Sequence, residues 1–327
     1  VWELPHIQTS FFKPKLTIMK KGQILLLLIA LMINNSTAFT QTFKVTKYEN
    51  VVYGMISGMA LLMDVYQPAN SNHIGVVFIT GCGWGYWNQE VYNHTPLKNN
   101  KNYFDSTYNG KWVQALLDRG YTVFIINHRF APGFHYPDIF FDCQRAVRFV
   151  RYNAKKYGIV ANHIGAMGHS SGANLSSMLG VTDTTIVNAE NGIDSVSSKV
   201  QAVISLAAPF ILSDYNKKTD STILNNLLLR VISNYVGELP EEKKGEFILS
   251  GKYAMASPIT YTSKDDAAFL IYYSDNDPII PPRQAFLFYD KLVENNVPAK
   301  IIVCHNCEHQ PVPDMNEVDM WFKKYLK

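Results

Sequence analysis

The chain has 327 residues, 47% of them hydrophobic and 17% charged, with 30 Lys and Arg against 27 Asp and Glu. That is enough apolar side chain to bury a core and too little charge for a disordered tail. Residues 1–38 hold four lysines and one glutamate, so the net charge of +3 resides there and the remainder is neutral. With no run of like charges, nucleic acid and anionic membrane are excluded as partners. The leading segment has its own logic. Met19-Lys20-Lys21, the apolar run Ile24 to Ile33 and the small residues up to Ala38 read as a signal peptide over 19–40, cut near Ala38 or Thr40. The apolar run is about ten residues, too short to span a bilayer, so no stable membrane anchor is expected. Residues 1–18 precede Met19 and read as an upstream extension that is not native, which leaves 41–327 as a single exported domain, secreted or periplasmic.

Strand-like runs lie at about 43–53, 60–66, 75–80, 121–127, 163–168, 201–207, 267–273 and 299–304. Most of those after the first two are continuous apolar runs separated by helical patterns, which is how strands buried on both faces read. Helical spacing of Cys143, Val147, Val150 and Ala154 marks one helix between Pro137 and Tyr157, and another spans about Arg283 to Glu294. An α/β fold with a mostly parallel eight-stranded sheet flanked by helices follows. Two insertions stand out. The segment 85–110 carries seven Tyr, Trp, His and Phe residues among asparagines, and 210–252 holds an amphipathic stretch over 223–236. Both are lid candidates, with surface decoration the alternative.

Between the fifth strand and a helix-forming run stands Gly168-His169-Ser170-Ser171-Gly172. A G-x-S-x-G turn at a strand-to-helix junction exposes its central serine as a nucleophile, and the flanking glycines let strand and helix approach closely. Ser171 competes for the role, but Ser170 has a glycine two residues away on both sides. A serine hydroxyl needs a histidine to take its proton and a carboxylate to orient that histidine. Downstream, the strand ending at Tyr273 runs into Ser274-Asp275-Asn276-Asp277-Pro278, and the last strand opens into Cys304-His305-Asn306-Cys307-Glu308-His309. Asp275 and Asp277 are rivals for the acid.

These residues, with Tyr66-Gln67-Pro68, Asn127-His128-Arg129 and Ala256-Ser257-Pro258-Ile259, resemble the α/β-hydrolase superfamily from about Tyr53 to the C-terminus. Within it they are similar to the small esterase branch that includes acetyl-xylan and feruloyl esterases, carboxylesterases and hormone-sensitive-lipase-like enzymes. The resemblance implies Ser170 as nucleophile, Asp277 as acid and His309 as base. Its oxyanion loop, usually His-Gly-Gly-Gly-Trp, corresponds to Thr80-Gly81-Cys82-Gly83-Trp84. Cys82, Gly83 and Ser171 are then the backbone donors to an oxyanion. Thr80 and Cys82 depart from that pattern, as does Glu308, where glycine commonly precedes the histidine. Trp84, Tyr86 and Trp87 follow the loop and are expected at the pocket mouth, where flat rings suit sugars and aromatic acids. The implied activity is hydrolysis of short-acyl or hydroxycinnamoyl carboxylic esters, small or on oligosaccharides, without a cofactor. An amide hydrolase, such as an arylformamidase or small peptidase, and an inactive binding module of the same fold are the alternatives.

Cys304-x-x-Cys307-x-His309 looks like half of a zinc site, but no second pair at matching spacing completes four ligands, and metal is not expected. In an oxidising compartment Cys304 to Cys307 is the local disulfide candidate; Cys82 to Cys307 and free buried thiols are the alternatives. Arg129 and Asp142 are expected to pair beneath the site or to be solvated surface charges. His128, His135, His163 and His169 read as hydrogen-bonded structural histidines.

Overall fold

The computed structural model describes residues 44–85, 108–183, 192–215, 223–243 and 246–327. The expected leader, the extension before it, Tyr86, Trp87 and most of the first insertion lie outside the described residues. Strand β1 (Val45–Ile56) turns into β2 (Met59–Pro68) through Ser57 and Gly58, at φ 48° and 81°. Two consecutive left-handed residues make the kind of turn whose twist matches a hairpin. Then follow β3 (Gly75–Ile79), helix α1 (Tyr108–Asp118), β4 (Thr122–Ile126), α2 (Asp138–Tyr152), β5 (Ile164–His169), α3 (Ser171–Val181) and β6 (Ala202–Leu206). The chain closes with α4 (Ile223–Val236), the short strands β7 (Glu241–Lys243) and β8 (Glu246–Ile248), α5 (Gly251–Met255), β9 (Ala268–Ser274), α6 (Arg283–Glu294), β10 (Ala299–Cys304) and α7 (Met315–Tyr325).

Eight strands form one sheet in the order β1-β2-β4-β3-β5-β6-β9-β10, antiparallel across β1, β2 and β4 and parallel thereafter. The eight expected strands are these eight, to within a few residues. Strands β3 and β4 are buried at every position because both sheet faces are covered. Val76, Phe78, Val123 and Ile125 meet Trp112, Val113 and Leu116 of α1 and Trp321 and Phe322 of α7. The alternate residues Val77, Ile79, Phe124 and Ile126 pack with Cys143 and Val147 of α2, Leu175 of α3, Ile232 of α4 and Phe288 of α6. Truncating one such ring, Phe78→Ala, would cost about 3–5 kcal/mol.

Helix α2 stops at Tyr152, short of the expected Tyr157. Asn153 caps it, and Ala154 and Tyr157 stay buried in the turn that follows. The β7–β8 ribbon inside the second insertion was not expected, because Glu-Glu-Lys-Lys reads as solvated chain. Chain order reverses between β3, whose next strand β4 lies on one side, and β5, which lies on the other. Ligands bind in open α/β sheets at the carboxyl ends of the strands beside such a reversal.

Candidate active site

The carboxyl end of β5 delivers Ser170 in a left-handed conformation, φ 54° and ψ −124°, directly before α3. A residue with a β-carbon takes this conformation only when its surroundings impose it. Close approach on both sides does so. A β-carbon at Gly168 would lie 2.4 Å from the Gly172 carbonyl oxygen, and one at Gly172 would lie 2.1 Å from that of Ile79. The Ser170 N–H donates to the Leu206 carbonyl oxygen on β6 at 2.8 Å, which locks the turn to the neighbouring strand.

Strands β9 and β10 run parallel in register, so the turns after them lie side by side. Ser170 Oγ is 2.8 Å from His309 Nε2, and His309 Nδ1 is 2.8 Å from Asp277 Oδ2. The other carboxylate oxygen of Asp277 accepts the N–H groups of Ile279 and Ile280 at 2.8 and 2.9 Å. An acceptor-only carboxylate requires the proton on Nδ1, which leaves Nε2 to accept from the serine. Asp277 is 2% exposed and Asp275 42%, which separates the rivals: Asp275 binds His305 Nδ1 at 2.6 Å and the Asn306 N–H at 3.1 Å. His305 holds the Asp275 carboxyl below the usual range. Asn276 Oδ1 accepts the Glu308 N–H at 3.0 Å, so the two turns are laced together. Glu308 has φ 49°, the conformation that favours glycine there, at a cost of about 1–3 kcal/mol.

Cys304 and Cys307 are disulfide-bonded to each other, while Cys82 and Cys143 are buried outside any disulfide. Both thiols of the suspected half zinc site are therefore spent. Among the described residues no group of three or more His, Cys, Asp or Glu side chains could hold a metal ion.

The loop 80–85 passes over the elbow. Gly83, Trp84 and Gly85 have φ of 59°, 54° and 101°, whereas Cys82 lies outside the left-handed region, so its β-carbon is unstrained. The Cys82 N–H donates to Ser171 Oγ at 3.0 Å. The hydroxyl of the first residue of α3 thus engages that amide. Gly81 was overlooked. A β-carbon there would lie 2.5 Å from the His169 carbonyl oxygen and 3.0 Å from Ser170 Cβ, so a glycine is what lets the loop lie this close to the elbow.

Trp84 departs from its expected place at the mouth. It lines the cavity over Ser170 but is only 2% exposed, and its ring is stacked on Tyr235 of α4 at 4.3 Å and 4°. Its left-handed φ turns the side chain inward, where Nε1 donates to Asn174 Oδ1 at 3.2 Å. It is a buried anchor, not a platform at the mouth. The cavity is about 200 Å³, with apolar walls from Pro209, Leu228, Val231 and Ile280 above Ser170 and His309. Helix α4 of the second insertion thus forms part of one wall of the site. Arg129 and Asp142 are a buried bidentate pair, with Nε to Oδ2 at 2.9 Å and a terminal nitrogen to Oδ1 at 2.9 Å, and the Arg129 pKa is raised by that contact.

The sequence matches the BD-FAE family over residues 63–292. Among curated proteins it is similar to the probable carboxylic ester hydrolase LipM of Mycobacterium tuberculosis, 28% identical over 181 residues, 55% of this chain and 39% of that protein. Bovine arylacetamide deacetylase is 26% identical over 204 residues, 60% of this chain and 46% of the relative. The chain spans about half the length, or less, of these relatives. Among solved structures, a truncated carbohydrate esterase from gut microbiota superposes with a TM-score of 0.66 at 23% identity, covering 87% of this chain and 97% of that one. An acetyl ester-xyloside bifunctional hydrolase from Caldicellulosiruptor lactoaceticus gives 0.64 at 18%, covering 84% and 93%. The eight-stranded sheet, the elbow after β5 and the family match over most of the chain make this protein a member of the BD-FAE family with the α/β-hydrolase fold.

Proposed function

We propose that the chain is an exported serine hydrolase that cleaves short-acyl or hydroxycinnamoyl carboxylic esters through an acyl-enzyme. The observation that carries this reading is the unbroken relay from Asp277 through His309 to Ser170, 2.8 Å at each junction. Ser170 Oγ attacks the ester carbonyl as its proton passes to His309 Nε2, and Asp277 stabilises the imidazolium that results. Negative charge developing on the carbonyl oxygen is met by the amides of Gly83 and Ser171, with Cys82 joining once it releases the Ser171 hydroxyl. His309 then returns the proton to the leaving alcohol. Water repeats the sequence on the acyl-enzyme, with His309 as base, and frees the acid.

The apolar cavity of about 200 Å³ favours a compact acyl group over a long flexible chain. Relatives named as ester hydrolases and carbohydrate esterases support the same class. The bovine relative's name, a deacetylase of arylacetamides, keeps amide cleavage as the second reading. A fluorophosphonate probe should label Ser170, and Ser170→Ala and His309→Ala should each lose about a thousandfold or more in turnover while staying folded. Retained turnover in either variant would overturn the serine mechanism, and specificity constants rising steadily from acetyl to palmitoyl aryl esters would overturn the substrate class. Paired phenyl acetate and acetanilide assays separate ester from amide preference. Export rests on residues 19–40, and sequencing the N-terminus of extracytoplasmic protein tests it.

A further inference from the structure

His169, the residue before the nucleophile, takes no part in the proton relay. Its Nε2 lies 2.8 Å from the carbonyl oxygen of His309. A carbonyl only accepts, so the His169 proton must sit on Nε2. The ring is wedged between Trp112, 5.9 Å away, and His309, 5.1 Å away, and its Nδ1 faces Gly81, where a β-carbon would come within 2.9 Å. Loss of solvent around the ring, and then the nearby His309 ring, push its pKa down to about 4 against smaller opposing pulls from the His309 carbonyl it donates to and from Asp277. The ring therefore carries no charge at neutral pH.

His309 needs such a tie. It follows two left-handed residues, Asn306 and Glu308, in a largely exposed loop. Asp275 and Asn276 hold the amides of Asn306 and Glu308. The bond from His169 reaches the main chain of His309 itself, and it starts from the residue covalently next to Ser170. We infer that His169 is a positioning residue whose neutral Nε2–H fixes the backbone of His309, so that strand β5 sets the distance from base to nucleophile. A neutral donor suits this place, because a second cation beside His309 would oppose the imidazolium formed during turnover.

This inference rests on the serine-hydrolase reading. Its test compares His169→Leu, which fills the volume without a donor, with His169→Gln, whose amide N–H reaches the same point. With p-nitrophenyl acetate, His169→Leu should lower kcat about ten- to a hundredfold with KM nearly unchanged, and His169→Gln should recover most of that loss. In the wild-type protein, 15N NMR of histidine side chains should find His169 as the neutral Nε2–H tautomer without titration from pH 8 to 5. A kcat within twofold of wild type in His169→Leu, equal losses in the two variants, or a proton on Nδ1 would each overturn the inference. If the leucine variant does not fold, the glutamine variant and the tautomer decide it. Turnover persisting in Ser170→Ala would overturn the serine reading itself, whereas turnover persisting in His169→Leu alone overturns only the positioning role.

Discussion

Asp277 spends one oxygen on two backbone amides and the other on His309, and that division makes Asp277→Asn a sharp probe. The new amide would turn its oxygen to the two N–H groups and its NH2 to the imidazole, forcing the proton off Nδ1. Turnover should fall about a thousand- to ten-thousandfold. Asp275→Asn touches an exposed pair and should cost less than about tenfold. Steady-state kinetics of the two variants checks this, and the reverse order would mean that Asp275 serves the base. Gly81→Ala should be harmful, though less so than losing a relay member, about a hundredfold in kcat, because the added carbon meets the His169 carbonyl oxygen at 2.5 Å. Activity within a few-fold of wild type would show that the loop yields there. Ser170 stood out by its turn between a strand and a helix pattern, whereas the choice of Asp277 over Asp275, and of His309 in the last loop, came only from the family resemblance, because both aspartates end the same strand pattern. The Cys82 amide, Gly81 and His169 were not legible, because their roles depend on contacts between segments about 90 or 140 residues apart that no local pattern records.

Helix α4 was legible from the apolar spacing over 223–236, but its partner was not. Trp84 sits between Gly83 and Gly85 and reads as a surface aromatic until its left-handed φ turns it under Tyr235. Asn174 completes the joint, accepting from Trp84 Nε1 and donating to the Pro209 carbonyl oxygen at 2.9 Å. The loop 80–85, the elbow helix and the cavity wall are thus one packed unit. Trp84→Ala should destabilise the fold by about 3–5 kcal/mol and lower kcat, because it removes the stack that seats α4. Trp84→Phe keeps a ring against Tyr235 and loses the bond to Asn174, at about 1 kcal/mol. Denaturant unfolding of both variants beside ester kinetics checks the pair. An alanine variant with wild-type stability and altered preference for aromatic esters alone would return Trp84 to the role of a substrate platform.

At the scale of the whole molecule, the parallel half of the sheet brings residues 81–85, 170, 277 and 309 to one edge, and buried strands wrote that plan into the sequence as apolar runs. Less visible is what burial does to two histidines at that edge. His128 lies inside the fold with its pKa lowered by burial, and His169 is lowered to about 4. Both titrate near 6.5 once the chain unfolds. From pH 6.5 down to about 4 the unfolded chain therefore binds protons that the folded chain refuses, and stability must fall as pH falls through that window. For His169 the full loss approaches about 3 kcal/mol, complete near its folded pKa and absent above pH 7. Asp266 works the other way near pH 4, since burial raises its carboxyl and lets the folded state take up a proton. Urea unfolding at pH 7.5 and pH 5 should show a lower midpoint at pH 5 with an unchanged slope, and His169→Gln should shrink the difference because glutamine does not titrate. Equal shifts in the wild type and the variant would mean that His169 takes up its proton in the folded protein as readily as in the unfolded chain.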